Sequence, residues 1–304
     1  MKDTERIKNL TAPAHVVDAV LDTDAYNEVD DQYAIAYMLR SPERVNLKAI
    51  YAAPFSNPKS QYNGGEGMEL SYNEIKSILT LVKSDTPVYR GSKGFLSNES
   101  APICSEAAEH LAKLAMNYSK ESPLYVVAIG AITNIASAIL INPEICERIV
   151  VVWLGGNARH FSDTKEFNMY QDIAASRVVM GSGASFVQLP CMGVVSEFRL
   201  SHAEIEKWLL DKTPLSDYLG RYTIKEAEGY AKGRPWTRII WDVCAVAWLF
   251  NENGRFLRSR KEKVLLSDYD GMYEKEPLSY TMEYVYCINR DELMYDLIKK
   301  ITEE

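Results

Sequence analysis

Four aspartates crowd into the ten-residue segment DTDAYNEVDD, where Asp22 and Asp24 are followed by Asp30 and Asp31. Glu28 adds a fifth carboxylate to the same segment. A helix N-terminus carries roughly half a positive charge, which favours one or two carboxylates but does not neutralise this many. Carboxylates packed so closely must take up protons or surround a cation, and oxygen ligands suit calcium or magnesium. The spacing therefore predicts a metal site.

Three alternatives to a metal site fit parts of this acidic segment. A solvated acidic turn would leave Asp30 as the cap of the following helix. An EF-hand loop would need Asp or Asn at Tyr26 and Gly at Asn27, so that alternative fails. A haloacid-dehalogenase-like phosphatase also begins with Asp-x-Asp after a strand, which would make Asp22 the phosphoryl acceptor and Asp24 its acid. The residues that follow Asp24 do not match that family.

The rest of the chain predicts the elements that position these carboxylates. Short runs rich in Val, Ile and Leu alternate with longer stretches of helical period, a pattern typical of repeated βαβ units. We therefore expect an α/β fold with an open, mostly parallel Rossmann-like sheet flanked by helices. Ligands of such sheets bind at the carboxyl ends of the strands. The predicted strands cover residues 16–21, 45–53, 124–128, 149–154 and 186–189.

Helix boundaries have weaker signals than the strands. Ser71 with Glu74, and Ser201 with Glu204, have capping-box spacing ahead of helical stretches. Residues 291–301 have the pattern of a C-terminal helix. We therefore expect a helix to begin after each of the two serines and a further helix to close the chain.

The organisation and charge of the chain limit its partners. No internal repeat or low-complexity linker interrupts the sequence, so residues 1–304 are expected to form one domain, with the less regular segment 213–235 as a candidate mobile flap. The net charge of -8 and pI near 5.3 argue against binding of nucleic acid or an anionic membrane, because both favour basic surfaces. A small-molecule ligand is the expected partner.

The cysteines indicate a cytoplasmic protein. They are odd in number, lie far apart and include no C-x-x-C pair, which indicates neither a disulfide framework nor a zinc cluster. Asn134 and Thr133 interrupt the longest apolar stretch, residues 125–141, so no membrane span is expected. The five cysteines are Cys104, Cys146, Cys191, Cys244 and Cys287.

DTDAYNEVDD resembles the nucleoside hydrolase signature D-x-D-x-x-x-D-D, with two extra residues between the acidic pairs. Further segments resemble the family's motifs in the same order, although Ala131 replaces a proline and Leu154 a methionine. The segment before E-F-N lacks the family's G-N pair, so the resemblance identifies no contact to the ribose 5′ hydroxyl. The matching segments are AIGAITNIA, VVVWLGG, KEFNMYQDIAAS, WDVCA at 241–245 and CINRDELMYDLI.

The resemblance implies a calcium site that contains four protein ligands. Asp24, Asp31, Asp242 and the main-chain carbonyl of Thr133 would hold the ion, and oxygen-only ligation suits calcium. On residue type alone, Thr133 could equally cap the helix that follows it. Asp242 lies in an apolar stretch where a carboxylate needs a partner, and a metal provides one.

The resemblance also implies a ribose site beside the metal. Four side chains would bind the ribose hydroxyls, although loop residues of these types also form ordinary turns. Asp22 would orient the acidic loop without touching substrate. The ribose-binding residues implied are Asp30, Asn57, Glu166 and Asn168.

The implied reaction is hydrolysis of the ribosidic C–N bond, with Asp24 as general base for the attacking water. The inosine- and uridine-accepting branch of the family carries His immediately before the late Asp, whereas this chain has Trp241, as in the purine-preferring branch. The resemblance therefore implies a catalytic role for Trp241, whose indole would stack on the base, raise its basicity and let solvent protonate it, and it favours purine nucleosides. His160 is a candidate substitute acid. The rival hypothesis is a protein that binds calcium and ribose without turnover. The family usually forms dimers or tetramers.

Four residues are candidates for the face of the base opposite Trp241. Three of them precede this tryptophan in the chain by only a few residues, and the sequence does not choose among the four. They are Phe95, Tyr230, Arg234 and Trp236.

Overall fold

The computed structural model describes residues 3–303 and contains two β-sheets within that range. The larger sheet has eight strands in the order β3-β2-β1-β4-β5-β6-β10-β9, and β7 pairs with β8 in a separate two-stranded sheet. The strands are β1 (Val17–Thr23), β2 (Val45–Ala52), β3 (Val88–Arg90), β4 (Leu124–Ala128), β5 (Ile149–Leu154), β6 (Ser185–Leu189), β7 (Arg199–Ser201), β8 (Thr237–Ile239), β9 (Leu257–Lys263) and β10 (Thr281–Ile288).

The large sheet is parallel except at one edge, where β9 runs antiparallel to β10. The helices that connect and cover the strands are α1 (Asp3–Lys8), α2 (Asp30–Leu39), α3 (Gly64–Val82), α4 (Glu106–Leu114), α5 (Thr133–Ile141), α6 (Phe167–Gln171), α7 (Ile173–Gly181), α8 (His202–Trp208), α9 (Pro214–Ala231), α10 (Val243–Trp248) and α11 (Arg290–Thr302). The predicted α/β class, with a mostly parallel sheet flanked by helices, is confirmed.

Helices cover both faces of the large sheet, and successive strand residues point to opposite faces. Leu21 packs with α2, α3 and α10 on one face, whereas Val20 packs with α4, α5 and α7 on the other. β4 and β5, at the centre of the sheet, are continuous apolar runs, as expected of parallel strands covered on both sides. This rigid centre fixes the strand ends from which the site residues extend.

Five strands agree with the predicted positions within about two residues, as boundary assignments allow. The sequence did not indicate β3 or β7 to β10. Of these, β3, β7 and β8 have only three residues each, and β9 (LRSRKEK) is a charged edge strand, whereas β10 is an eight-residue strand inside the sheet whose pattern was overlooked. Ser201 and Glu204 form the predicted capping box at α8, and α11 closes the chain as predicted.

Two local expectations were wrong. Ser71 is not a helix cap, because α3 begins seven residues earlier at Gly64 and is capped by Asn63, whose Oδ1 accepts from Gly65 N at 3.0 Å. Ser71 lies inside the helix, and its hydroxyl donates to the carbonyl of Ala53. The segment 213–235 is mostly regular, since the eighteen residues of α9 occupy most of it.

Within residues 3–303, no helix combines the length and the apolar character that a membrane span requires.

Candidate active site

One cavity of about 840 Å³ lies at the carboxyl ends of the central strands. The loops that follow β1, β2 and β5 line it, together with residues around β8 and the start of α10. Eight residues that the sequence singled out are on its wall, namely Asp24, Asp30, Asp31, Asn57, Glu166, Asn168, Trp241 and Asp242. The strand ends thus bring together side chains that are far apart in the chain.

The acidic loop connects β1 directly to α2. Tyr26 has a positive φ of 78°, a conformation that non-glycine residues seldom adopt, and the chain turns sharply there. α2 begins at Asp30, and its N-cap position is Val29, which makes no side-chain capping bond. Asp30 therefore does not cap the helix, contrary to the solvated-turn alternative, and both Asp30 and Asp31 are buried.

Three carboxylates converge at the base of the cavity. Asp30, Asp31 and Asp242 each offer an oxygen atom within 4.8 Å of the others. Thr23 Oγ1 donates to Asp31 Oδ1 at 2.5 Å, and Asp30 shares a hydrogen bond with Asp242. Asp30 Oδ1 is buried without a hydrogen-bond donor. The cluster has more acceptor oxygens than donors to satisfy them.

Burial and mutual repulsion raise the pKa of these acids. The pKa of Asp30 rises to about 7, first because of burial and then because of Glu28. The pKa values of Asp31 and Asp242 lie well above the usual range because of burial and the neighbouring aspartates. A cation among them would remove the repulsion, and an all-oxygen donor set suits a hard divalent ion. The residues present therefore fit a metal of the calcium or magnesium type.

Asp24 lies beside this group but not within the tight triad. Asn27 Nδ2 donates to Asp24 Oδ2 at 3.0 Å. The backbone of Gly130 packs against the other side, where a Cβ would come within 2.8 Å of Asp24 Oδ1. Burial, followed by the charge of Asp30, raises the pKa of Asp24 well above its usual range. Asp24 is thus held rigidly at the cavity wall, and the triad contains Asp30 in its place.

Asn57 is held by the acidic loop and by its own turn. Its Oδ1 accepts from Lys59 N at 2.8 Å, and its Nδ2 donates to Asn27 Oδ1 at 2.7 Å. Asn27 therefore bridges Asp24 and Asn57. Asn27 lies between the two acidic pairs, where the loop is two residues longer than the family signature, and it links two side chains of the cavity wall.

Hydrogen bonds with main-chain groups orient Glu166 and Asn168, which are therefore more than ordinary turn residues. Glu166 caps α6, and its carboxylate accepts from the backbone N–H groups of Asn168, Met169 and Gly156 at 2.8–3.0 Å. Burial raises its pKa to about 7. Asn168 Nδ2 donates to the carbonyls of Ile129 and Leu154. The amide oxygen of Asn168 is left to face the cavity.

Asp22 and Thr133 are buried behind the cavity rather than on its wall. Asp22 Oδ1 accepts from Asn134 Nδ2 at 2.7 Å, a contact that ties the end of β1 to the start of α5. Thr133 Oγ1 donates to Asp172 Oδ2 at 2.7 Å and does not cap α5, whose N-cap position is Ile132. A buried Asp22 has no access to a phosphoryl group, which argues against the phosphatase alternative.

Part of the cavity wall is aromatic. Trp241 is half-buried there, and Phe167 and Tyr230 are 39% and 48% exposed. Of the other candidates for contact with a base, Trp236 stacks on His202 and Arg234 lies beside it in a separate depression. Neither residue lines the cavity. Phe95, the remaining candidate for contact with the base, and His160, the candidate acid, do not line it either.

The chain matches an established enzyme family over most of its length. The sequence profile of the inosine-uridine preferring nucleoside hydrolases matches residues 19–283. The chain belongs to this family. A non-specific ribonucleoside hydrolase (RihC) of Salmonella typhimurium is 28% identical over 257 residues, which cover 79% of each chain. A pyrimidine-specific ribonucleoside hydrolase (RihA) of Salmonella paratyphi A is 26% identical over 253 residues, covering 72% of this chain and 76% of the relative.

Solved structures of nucleoside hydrolases share the fold. A purine-preferring ribonucleoside hydrolase from Gardnerella vaginalis superposes with a TM-score of 0.75 at 20% identity, covering 94% of this chain and 98% of its own. An inosine-uridine preferring nucleoside hydrolase from Bacillus anthracis gives a TM-score of 0.70 at 16% identity, covering 95% and 99%. The resemblance inferred from the motifs is confirmed, and the chain is a nucleoside hydrolase.

Sequence reasoning gave no role to several polar residues of this nucleoside hydrolase that line the cavity, among them Asn27, Asn157 and Arg238. Asn27 was considered only as a position of the acidic loop. Asn157 is buried, and its Oδ1 lacks a donor while its Nδ2 donates to the carbonyl of Asp163 at 3.3 Å. Arg238 has a side chain that is only 16% exposed. The position of Asn157 after Gly155-Gly156 was a usable signal, whereas Arg238 belongs to no motif.

Proposed function

We propose that this nucleoside hydrolase catalyses calcium-dependent hydrolysis of the N-glycosidic bond of ribonucleosides, with purine nucleosides favoured, to give ribose and the free base. The observation that supports this proposal most strongly is the convergence of buried carboxylates with Glu166 and Asn168 on one cavity. Such a site combines a place for a divalent cation with acceptors for several hydroxyl groups.

Asp24, Asp31, Asp242 and the carbonyl of Thr133 are the proposed calcium ligands. Calcium bound there would neutralise the crowded carboxylates and lower the pKa of a bound water. Asp30 offers a further oxygen close to two of these ligands. Asp30 is also the proposed partner of a ribose hydroxyl, so its carboxylate would lie between the calcium ion and the sugar.

Asp24 is the proposed general base. It is anchored by Asn27 and by the close approach of Gly130, so its carboxylate has a fixed position from which to take a proton from the attacking water. Asp30, Asn57, Glu166 and Asn168 are the proposed partners of the ribose hydroxyls. Hydrogen bonds to several hydroxyls hold the sugar so that C1′ is placed for attack, and no further translational or rotational entropy is lost in the reaction step. Asp22 orients the loop through Asn134.

The proposed preference for purines depends on Trp241. An indole face on the cavity wall offers a large stacking surface for a two-ring base, and Phe167 and Tyr230 add aromatic area to the same wall. The relatives differ in this respect, because their names describe non-specific, pyrimidine-specific and purine-preferring hydrolases. The preference is therefore a property of the individual chain.

A reducing-sugar assay on purine and pyrimidine ribonucleosides, with and without EDTA, tests the proposal. We expect ribose release from inosine and guanosine that exceeds release from uridine and stops on chelation. Asp24→Asn should lower kcat by roughly 10²–10⁴-fold, the usual contribution of a general base. The exposed Asp85→Asn variant is the matched control and should keep full activity.

Three results would count against parts of the proposal. Ribose release unaffected by Asp24→Asn would refute the role of the base, and uridine cleaved faster than inosine would refute the purine preference. Calcium-dependent ribose binding without release from any nucleoside would indicate a non-catalytic binding protein.

We further propose a cytoplasmic homodimer or homotetramer. All five cysteines are free thiols, as a reducing compartment permits. Light scattering on the purified chain tests the assembly, and a monomer at micromolar concentration would contradict it.

A further inference from the structure

Among the motif residues, Trp241 can stack on the departing base, but none is a charged donor that would bind the electron pair left on it. When the C1′–N bond breaks, its electron pair remains on the ring nitrogen, and a nearby donor or cation must stabilise that charge. No histidine is present among the described residues that line the cavity. The described cations on its wall are Lys59, Lys165 and Arg238.

The two lysines are poor candidates for this role. Lys59 Nζ is held by Glu226 Oε1 at 2.6 Å and by the carbonyl of Tyr26 at 3.2 Å. Lys165 is exposed to solvent, where water screens its charge. Arg238 differs from both because most of its side chain is withdrawn from water, and a charge in such surroundings acts more strongly.

The fold places Arg238 beside the proposed reaction centre. It lies in β8, where Arg238 pairs with Leu200 of β7, and three residues before Trp241. Its Nη2 is 3.0 Å from Glu28 Oε2 and 3.8 Å from Asp30 Oδ1. Its Nε and Nη2 are both buried, and neither has a hydrogen-bond partner of good geometry, although Nη2 is within ion-pair distance of Glu28. The guanidinium of this cavity-lining residue therefore has donors that no acceptor of the described chain satisfies.

We propose that Arg238 is a catalytic residue that stabilises the departing base as a permanently charged hydrogen-bond donor. This inference rests on the proposed N-ribohydrolase activity. Water adds to C1′ and gives a proton to Asp24, while the C1′–N bond breaks and leaves its electron pair on the base. Arg238 donates a hydrogen bond to that anion, which takes a proton from solvent on release.

The contribution of Arg238 to the rate should depend on the leaving group. A guanidinium does not give up its proton near neutral pH, so it stabilises an anion without protonating it. Its contribution should be large for a base that leaves poorly and small for an aglycone that is already a stable anion. p-Nitrophenyl riboside supplies such an aglycone, since p-nitrophenolate needs no help to depart.

Kinetics of Arg238→Gln with inosine and with p-nitrophenyl riboside test the inference. We expect kcat/KM for inosine to fall about 100-fold, as when a donor to a developing anion is removed. The value for p-nitrophenyl riboside should change less than about threefold, because ribose binding is intact. Arg221→Gln, at an exposed arginine that pairs with Asp211 and Asp217, is the control and should change neither value.

The other outcomes are distinguishable. An equal loss on both substrates would show that Arg238 only holds Glu28 and the acidic loop, and no loss on either would remove it from the mechanism; both overturn the inference. If the wild-type protein cleaves neither substrate, the proposed function fails and this inference with it. If Arg238→Gln does not fold, Arg238→Lys is the second variant, because it keeps the positive charge but lacks the planar set of guanidinium donors. We expect its kcat/KM to fall roughly 10-fold for inosine and to stay nearly unchanged for p-nitrophenyl riboside.

Discussion

Gly130 and Asp24 are packed so closely that no side chain fits between them. A Cβ on Gly130 would come within 2.8 Å of Asp24 Oδ1 and 3.0 Å of its Cγ, and Gly130 needs no positive φ. The glycine is therefore required for space rather than for backbone conformation. It belongs to the segment AIGAITNIA, whose likeness to the family motif thus has a physical cause.

Gly130→Ala should displace the Asp24 carboxylate while the protein stays folded. A misplacement of about 1 Å can cost up to about 100-fold in rate, so we expect kcat to fall by one to two orders of magnitude. Gly94→Ala is the matched control, since a Cβ there meets nothing within 4 Å. Steady-state ribose release measures both variants, and equal activity of the two would show that the position of Asp24 does not limit the rate.

At the level of single residues, the sequence predicted the carboxylates better than their partners. Eight of its site residues line the cavity because each follows a strand or belongs to a motif that the sequence indicates. Arg238 was missed because its place depends on the pairing of β8 with β7, two short strands without a local signal. Likewise, the order of the motifs did not indicate that Asp30, rather than Asp24, would be grouped with Asp31 and Asp242.

At the level of elements, the central parallel strands were predictable and the edges were not. β4 and β5 are buried along their whole length, and their sequences are continuous apolar runs, whereas β1 is buried and largely apolar but contains Asp18 and Asp22. β9 is largely exposed and charged, and only its pairing with β10 makes it a strand. The long helix α9 was obscured because polar and charged residues are scattered among its apolar ones and because Gly220 and Gly229 interrupt the helical pattern.

α9 is anchored unequally along its length. Thr223 is buried and contacts the hydroxyl of Tyr33 at 3.0 Å, and Tyr218 donates to Glu74 at 2.6 Å. Residues 228–230 and 232–235 are exposed, and they include Tyr230 of the cavity wall. If the segment contains a flap, only this end of it has the loose packing that a flap needs.

Hydrogen exchange followed by mass spectrometry tests this division of α9. We expect amides of residues 228–235 to exchange faster than those of residues 214–224 in the free protein. Calcium and an inosine analogue with a non-hydrolysable C–C glycosidic bond, added to the wild-type protein, should slow the first group and leave the second unchanged. Uniform protection of residues 214–235 without ligand would rule out the flap.

At the level of the whole molecule, the buried acids link stability to pH. Burial raises the pKa of Asp22 and Asp30 from 3.8, and that of Glu166 from 4.5, to about 7 in each case. Between those values the folded protein binds more protons than the unfolded chain, so the free energy of unfolding falls as pH rises. Metal-free protein should therefore have a lower Tm at pH 7.5 than at pH 5.

Calcium should reverse this trend, because it binds the deprotonated acids and competes with protons. At neutral pH, calcium at 100 times its Kd should add about 2.7 kcal/mol to the free energy of unfolding, and at pH 5 it should add less. Differential scanning calorimetry on protein stripped of metal by chelation and dialysis measures both effects. A larger stabilisation by calcium at pH 5 than at pH 7.5 would contradict the assignment of the acids to the ion.

We propose that one calcium ion at the carboxyl ends of β1 and β4 makes this chain an active N-ribohydrolase. Stepwise addition of calcium to stripped protein, with bound calcium and ribose release from inosine measured in the same samples, tests it most directly. We predict no release from the stripped protein and activity that rises in proportion to occupancy, up to one ion per chain. Full ribose release from protein without bound metal would contradict the claim.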